Sequence, residues 1–342
     1  MMRRGSASPG PRLGLDVYSI RSTNWGPTAM LEFGAGLGAE VVQFSEPRFL
    51  GAPDDSNLQA IRLRADELGV DLEVGMGSIC PSSSLFNQNE GPAADQLTRM
   101  LQVARVLRSP IVRCFLGSSA DRGPDLATHV ANTIATLRAV ERTAVSLGVK
   151  VAIENHSGDL QTGQLRELIE EAGSHFVGAL FDAGNAAWTL EEPMAALETI
   201  APHVLSSGIR DSRVWEIPDG AAVEWVGLGE GDARIGELAA RYAELCPGMA
   251  FSLEVIHYPP RTFAYGRPRF WDAYRDVPAW VFAGFTEWVH RGTERHGPGT
   301  SQLEGPVAAS TAQVEVSAVE DAMAYARNTL GLGRAPVPAP AR

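Results

Sequence analysis

Short, almost uniformly apolar runs recur along this chain, and between them lie longer segments in which apolar residues return every three or four positions. The runs at 13–18, 40–44, 71–76, 110–115, 150–154, 177–182, 204–211 and 250–254 have the length and composition of buried strands. The segments at 27–38, 54–68, 93–107, 125–147, 165–172, 193–200, 233–245 and 278–290 predict helices, with Leu97, Met100, Leu101, Ala104 and Leu107 marking one face of the third. Pro27 suits a first helical turn, and Asp232 predicts a cap for the helix that follows it. Eight strands alternating with helices describe an α/β protein of the (β/α)8 TIM barrel class. An open doubly wound sheet is the competing arrangement.

Beyond this pattern the chain is less regular. The polar, glycine-rich stretch after Asp211 predicts a loop as far as Asp232. The aromatic-rich segment 258–274 has no period, which suits either a lid over the barrel mouth or a packing arm for another subunit. Residues 297–309 have the composition of a mobile linker, and 316–330 predict an amphipathic helix carrying Val319, Met323, Ala326 and Leu330 on one side. The division expected is a flexible N-terminal tail (1–12), a barrel domain (13–294), a linker with a C-terminal helix (295–332), and a proline-rich disordered tail (333–342).

Chemistry gathers where the strands end. Lys150-Val151-Ala152-Ile153 leads straight into Glu154-Asn155-His156, and later strands end at Asp182, at Arg210-Asp211 and at Glu254. A parallel barrel brings every strand's C-terminal end to one face, so Glu154, Asp182 and Glu254 should converge although they are far apart in sequence. Converging carboxylates repel, and a divalent metal ion is the simplest compensation; all-oxygen ligands favour Mg2+ or Mn2+ over zinc. The alternative is that each acid pairs with a local arginine, Arg113 or Arg210.

Other candidates crowd the same face. Arg113 ends an apolar strand, where an uncompensated charge is costly, and its guanidinium can hold a substrate carboxylate or instead a neighbouring acid such as Glu73 or Glu154. His156 lies two residues past Glu154 and faces the same way if the strand persists, which suits a ligand, a general base or a supporting hydrogen-bond donor. Asn185, Arg210, Asp211, His257 and Glu46 complete the candidate substrate contacts, and Arg210 with Asp211 can form an orienting ion pair. His156, Glu154 and Glu254 are the catalytic candidates. His175, His203, His290 and His296 carry no expected chemistry, and Gly229-Glu230-Gly231-Asp232 on spacing alone is a turn and a helix cap.

Composition narrows the function class. The 342 residues are 44% hydrophobic with 35 glycines, enough for a large core with many tight turns, and the net charge of −12 argues against a nucleic acid or an anionic membrane as partner. Cys80, Cys114 and Cys246 have no metal-binding spacing and are expected as reduced core residues. The start has basic residues without an apolar stretch, and no run approaches the length of a membrane span, so a cytoplasmic location is expected.

The motifs Ile153-Glu154-Asn155-His156, Phe181-Asp182-Ala183-Gly184-Asn185, Arg210-Asp211, Gly229-Glu230-Gly231-Asp232 and Leu253-Glu254 together resemble those of the xylose isomerase-like barrels, the sugar phosphate isomerase/epimerase or AP endonuclease family 2 superfamily. The resemblance covers nearly all of residues 13–290. It implies a divalent metal held by Glu154, Asp182 and Glu254, with a small sugar-derived substrate and often a homo-oligomer. The family's fourth ligand is a histidine in His-x-Lys/Arg-Asp, whereas this chain reads Gly208-Ile209-Arg210-Asp211. A water or substrate oxygen takes that place, or His156 or His257 reaches in, or metal affinity is reduced or lost.

In such a site a metal chelating a carbonyl and an adjacent hydroxyl stabilises the enediolate formed when a bond α to the carbonyl breaks. Isomerisation, epimerisation, decarboxylation and elimination are all open to it. The runs 14–21, 78–81, 112–114 and 270–275 more narrowly resemble the branch that contains 3-oxo-isoapionate decarboxylase. That likeness implies a β-keto sugar acid losing CO2, with Arg113 or Arg210 orienting its carboxylate and His156 returning a proton. A sugar isomerase or epimerase, and the α subunit of a C-glycoside deglycosidase with a small β-rich partner, are the other enzymatic expectations. A metal-free sugar-binding barrel is the non-enzymatic one, and against it stands the repulsion its three acids would then suffer.

Overall fold

The computed structural model describes residues 10–52, 54–292 and 311–335. Seven strands follow in order, β1 (Arg12–Asp16), β2 (Val41–Phe44), β3 (Asp71–Ser78), β4 (Ile111–Phe115), β5 (Lys150–Glu154), β6 (Val177–Asp182) and β7 (Val204–Gly208). Two more, β8 (Asp211–Ile217) and β9 (Gly220–Val226), then leave the sheet before the eighth barrel strand, β10 (Ala250–Leu253), and a final strand, β11 (Tyr258–Phe263). The barrel sheet runs β10-β1-β2-β3-β4-β5-β6-β7, and its strand pairs are parallel. A parallel bridge between Ile209 and Leu253 closes it. At this seam Ser207 Oγ donates to the Ala250 carbonyl and accepts from the Ser252 amide, doing by side chain what backbone pairing does elsewhere.

The helices are α1 (Pro27–Gly36), α2 (Asp55–Leu68), α3 (Ala93–Leu107), α4 (Leu126–Leu147), α5 (Thr162–Ala172), the single turn α6 (Ala183–Ala186), α7 (Pro193–Ile200), α8 (Ile235–Leu245), α9 (Ala279–Arg291) and α10 (Ala312–Asn328). Their ends follow local chemistry. Pro27 opens α1, the Asp54 carboxylate caps α2 at the Asn57 amide, and Gly69, at φ 62°, ends α2 in the left-handed region. The expected cap at Asp232 does not form. Its carboxylate accepts from the Val214 amide instead, and α8 starts after Arg234, itself left-handed at φ 51°.

Inside the barrel Ile111, Ala152 and Leu180 form a small apolar layer, and Glu73 is held by Gln43 and Ser206 from other strands. Outside lies the main core between strands and helices. Cys80, Cys114 and Cys246 are buried free thiols, and burial pushes those of Cys114 and Cys246 up to about 12. Among the described residues no helix is long and apolar enough to cross a membrane.

The expected loop after Asp211 is instead a hairpin. β8 and β9 pair from Asp211↔Val226 to Ile217↔Gly220, and β11 adds to β9, making a three-stranded antiparallel sheet from the loop and from the first part of the expected lid. Helix α9, expected to close the last barrel unit, packs on this sheet: Phe285 meets Phe263 edge-on, and the Trp288 indole donates to the Asp232 carbonyl.

Helix α10 takes the ring position that α9 leaves. Its buried face is Glu315, Val319, Ala322, Met323 and Ala326. At the mouth Glu315 accepts from the Ser22 amide at 2.8 Å and from its hydroxyl at 2.9 Å. Leu330 then passes Gly236 of α8, and at the foot Arg334 donates to the Leu68 and Gly69 carbonyls at the end of α2. Residues 333–335 of the expected tail are thus placed against the barrel. The rest of that tail, the linker 297–309 and residues 1–9 lie outside the described residues.

Glu315 is the buried anchor of α10, so Glu315→Ala should leave the Ser22 amide without a partner and cost about 1–3 kcal/mol. Urea unfolding checks this: the midpoint should fall with the slope unchanged, and an unshifted midpoint would show that α10 is not held this way.

Candidate active site

Register brings the acids together. β5 ends at Glu154, β6 ends at Asp182 directly beside Gly208 of β7, and Glu254 follows β10. One carboxylate oxygen from each of Glu154, Asp182 and Glu254 lies within 4.8 Å of the others, with the residues 1%, 0% and 5% exposed. Paired amides hold the frame, since Asn155 donates to the Asp182 carbonyl and accepts from its amide, while the Asn185 side chain donates to Glu154 Oε1 at 3.0 Å.

Two arginines enter the cluster. Arg113 on β4 binds Glu154 through Nε and Nη2 and donates from Nη1 to the Met76 carbonyl. Arg210 places one nitrogen, Nη2, 2.7 Å from Asp182 Oδ2, 4.0 Å from Glu154 Oε1, and in hydrogen-bond contact with Glu254 Oε2. The pairing of acids with local arginines, held open from the sequence, is therefore realised together with the convergence of the acids. It also removes the objection to a metal-free barrel, because the repulsion is compensated from within. Burial pulls both guanidiniums down, yet the facing acids outweigh it and hold their pKa above the ordinary value. Burial drives Asp182 well up, opposed first by Arg210.

Arg210 and Asp211 do not pair. Successive residues of an extended chain face opposite ways, so Arg210 points into the cluster while Asp211 accepts from the amides of Ser212, Gly229, Gly231 and Ala233. Burial pushes Asp211 up to about 6 against those amides. A side chain at Gly231 would put Cβ 2.1 Å from Asp211 Oδ1, which is why glycine stands there. The Gly229-Glu230-Gly231-Asp232 motif is the amide cradle for this carboxylate.

The two candidate histidines stay out of the cluster. β5 stops at Glu154, and the His156 ring stacks on Phe115 at 3.7 Å with Nδ1 2.6 Å from the Gly117 carbonyl and Nε2 3.3 Å from Ser157 Oγ. A carbonyl only accepts, so Nδ1 carries the hydrogen. Burial, then Arg113, brings this imidazole down to about 3. His257 is exposed and lines a groove with Glu230 and Tyr325 of α10. Glu46 pairs with Arg48 at the rim.

Several residues at the mouth have no counterpart in the sequence reading. Asp16, at the end of β1, accepts from Ser45 Oγ and the Tyr18 amide, and burial followed by Glu254 pushes it up to about 8. Above the acids Trp188 and Trp225 stack at 4.3 Å, with Arg210 4.2 Å from the Trp225 ring and Arg261 4.4 Å from the Trp188 ring. The Trp225 indole donates to the Gly184 carbonyl. Trp225 comes from the hairpin and Arg261 from β11, so the antiparallel sheet roofs the site. The signal was present as Pro218-Asp219-Gly220 between two alternating runs, a hairpin signature.

The donors suit a hard divalent cation. All three are carboxylate oxygens, and buried Asp182 Oδ2 has no aligned hydrogen-bond donor. Where β7 faces the acids there is only Gly208. A Cβ built there would lie 3.4 Å from Glu254 Oε2 and 3.5 Å from Asp182 Oδ2, so this wall of the cluster carries no side chain.

A family model for xylose isomerase-like TIM barrels matches residues 31–269. The 3-oxo-isoapionate decarboxylase of Pectobacterium atrosepticum is 29% identical over 54% of this chain and 61% of its own length. YihM of Escherichia coli, an uncharacterized protein, is 28% identical over 57% of this chain and 55% of its own length. The chain thus aligns with less than two thirds of the length of either relative. Among solved structures, a D-psicose 3-epimerase from Clostridium cellulolyticum H10 superposes with a TM-score of 0.61 at 14% identity, covering 93% of this chain and 99% of that one. With the strand-end acids gathered at one mouth of a closed eight-stranded barrel, the match settles the lineage: the chain belongs to the xylose isomerase-like TIM barrel family.

Proposed function

We propose that this protein is a divalent-metal-dependent carbon–carbon lyase that decarboxylates a β-keto sugar acid, 3-oxo-isoapionate or a close analogue, with Glu154, Asp182 and Glu254 holding Mn2+ or Mg2+. The observation that carries the reading is the charge balance of the buried mouth. With all three ionised, as a bound cation requires, the carboxylates face two guanidiniums, Arg113 and Arg210, and these five side chains leave one net negative charge. A divalent cation turns this into one net positive charge, which a monoanionic sugar acid complements and a neutral ketose does not. The similarity to the decarboxylase of Pectobacterium atrosepticum supports the same choice.

A cation on these carboxylates supplies a Lewis acid for the keto oxygen, which favours the electron pair left behind when a bond α to the carbonyl breaks. The chain does the rest. Arg113 and Arg210 orient the substrate carboxylate, which leaves as CO2 when its C–C bond breaks, and a proton from solvent then restores the carbon. Asn185 holds Glu154 in place. Trp188 and Trp225 stack over the site and narrow its access to solvent. In this reading His156, stacked on Phe115 with its Nδ1 hydrogen on the Gly117 carbonyl, packs the wall of the mouth and transfers no proton.

The test is turnover of β-keto sugar acids with Mn2+ or Mg2+, followed by CO2 release and by carbon NMR of the product. The reading expects CO2 evolution that chelation abolishes and that Glu254→Gln lowers by about 100-fold or more. A product that keeps its carboxylate with one inverted centre would replace the lyase with an epimerase. Arg113→Met should raise KM for the acid about 10- to 100-fold, the worth of one charged hydrogen-bonded pair. An unchanged KM would remove Arg113 from substrate binding.

A further inference from the structure

We infer that Arg210 is the resident counter-cation of the acid cluster, and that a divalent ion enters by displacing its guanidinium, which then turns to the substrate. This rests on the reading that Glu154, Asp182 and Glu254 take a divalent cation. The geometry comes from β7. Gly208 faces the acids without a side chain, and Arg210, two residues on and on the same side of an extended chain, reaches over it. Its Nη2 meets all three acids, within 4.0 Å of an oxygen of each. A metal held by the same oxygens needs that place, so the two cations exclude one another.

The guanidinium also fits imperfectly. Arg210 Nε is buried without a hydrogen-bond partner, and Asp182 Oδ2 has charge contact with Nη2 but no aligned hydrogen bond. Unsatisfied buried groups carry a standing cost, which a centred ion relieves at Asp182 and a substrate carboxylate relieves at Arg210. A position to receive the displaced group lies alongside, since Arg210 already rests on the face of Trp225. Gly184 makes room for its stem, because a Cβ there would come within 2.9 Å of Arg210 Cβ. Loading the metal therefore frees an arginine, and the site acquires its anion-binding group in the same step.

The experiment is calorimetric titration of Mn2+ into wild-type protein and Arg210→Met, with thermal melting of each alone and with Mn2+. The expected result is at least about tenfold tighter Mn2+ binding by the variant, since no internal cation must leave, together with a lower melting temperature without metal and a larger rise on adding it. Equal or weaker binding by the variant would overturn the inference while leaving the metal reading intact. Binding by the variant alone would show that Arg210 keeps the ion out of the wild type, and would overturn both entry by displacement and the metal reading. Binding by neither would overturn both. If Arg210→Met does not fold, Mg2+ titration of the wild type decides by tryptophan emission: a change on binding that is absent in Trp225→Phe supports displacement, and calorimetric binding with unchanged emission overturns it.

Discussion

Three buried carboxylates that share one small space set the terms for everything around them. Each is delivered by the end of a different strand, so the barrel's closure is what forces them together, and their charge is what the neighbouring residues are arranged to answer. Within the chain the answer is two guanidiniums. Arg113 secures Glu154, and Arg210 spans all three acids from the strand where the family usually places a histidine ligand. Gly208 makes this possible, since a larger residue there would project toward the oxygens that Arg210 Nη2 now meets. The oxygens that could hold a metal ion already face an internal cation.

The roof follows from the same constraint. A guanidinium buried among acids needs its remaining surface covered by something that tolerates charge, and the Trp225 ring does so through its face. Trp225 is available because the chain leaves the barrel at Asp211 and makes a hairpin. That exit is fixed by the Asp211 carboxylate, which gathers the amides of the return segment. Covering the hairpin occupies α9, and α10 then completes the outer ring, tied at the mouth by Glu315 and at the foot by Arg334. The C-terminal helix is thus part of the barrel's shell and not an appendage.

Much of this was legible in the sequence because its causes are local and periodic. Apolar runs of strand length, helices at 3/4 spacing and acids at strand ends specify the barrel and the convergence of Glu154, Asp182 and Glu254 without any knowledge of contacts. The misses have physical reasons. Arg210 and Asp211 read as a pair because they are adjacent, yet adjacent residues of an extended chain point to opposite sides. His156 read as facing with Glu154, but the strand ends first and the ring turns onto Phe115. Asp16 was hidden inside an apolar run, where it reads as part of a strand. Trp225 lies in a segment whose alternation was masked by its glycines and charges. Whether the acids would be answered by metal or by arginine depends on side-chain reach across the barrel, which strand periodicity does not encode.

The most direct measurement is a crystal structure of the protein soaked with Mn2+, with data collected at a wavelength where manganese scatters anomalously. The account predicts an anomalous peak bonded to Glu154, Asp182 and Glu254, and the Arg210 guanidinium moved off the acids. A mouth without a peak at saturating Mn2+, with Arg210 still spanning the three carboxylates, would contradict it.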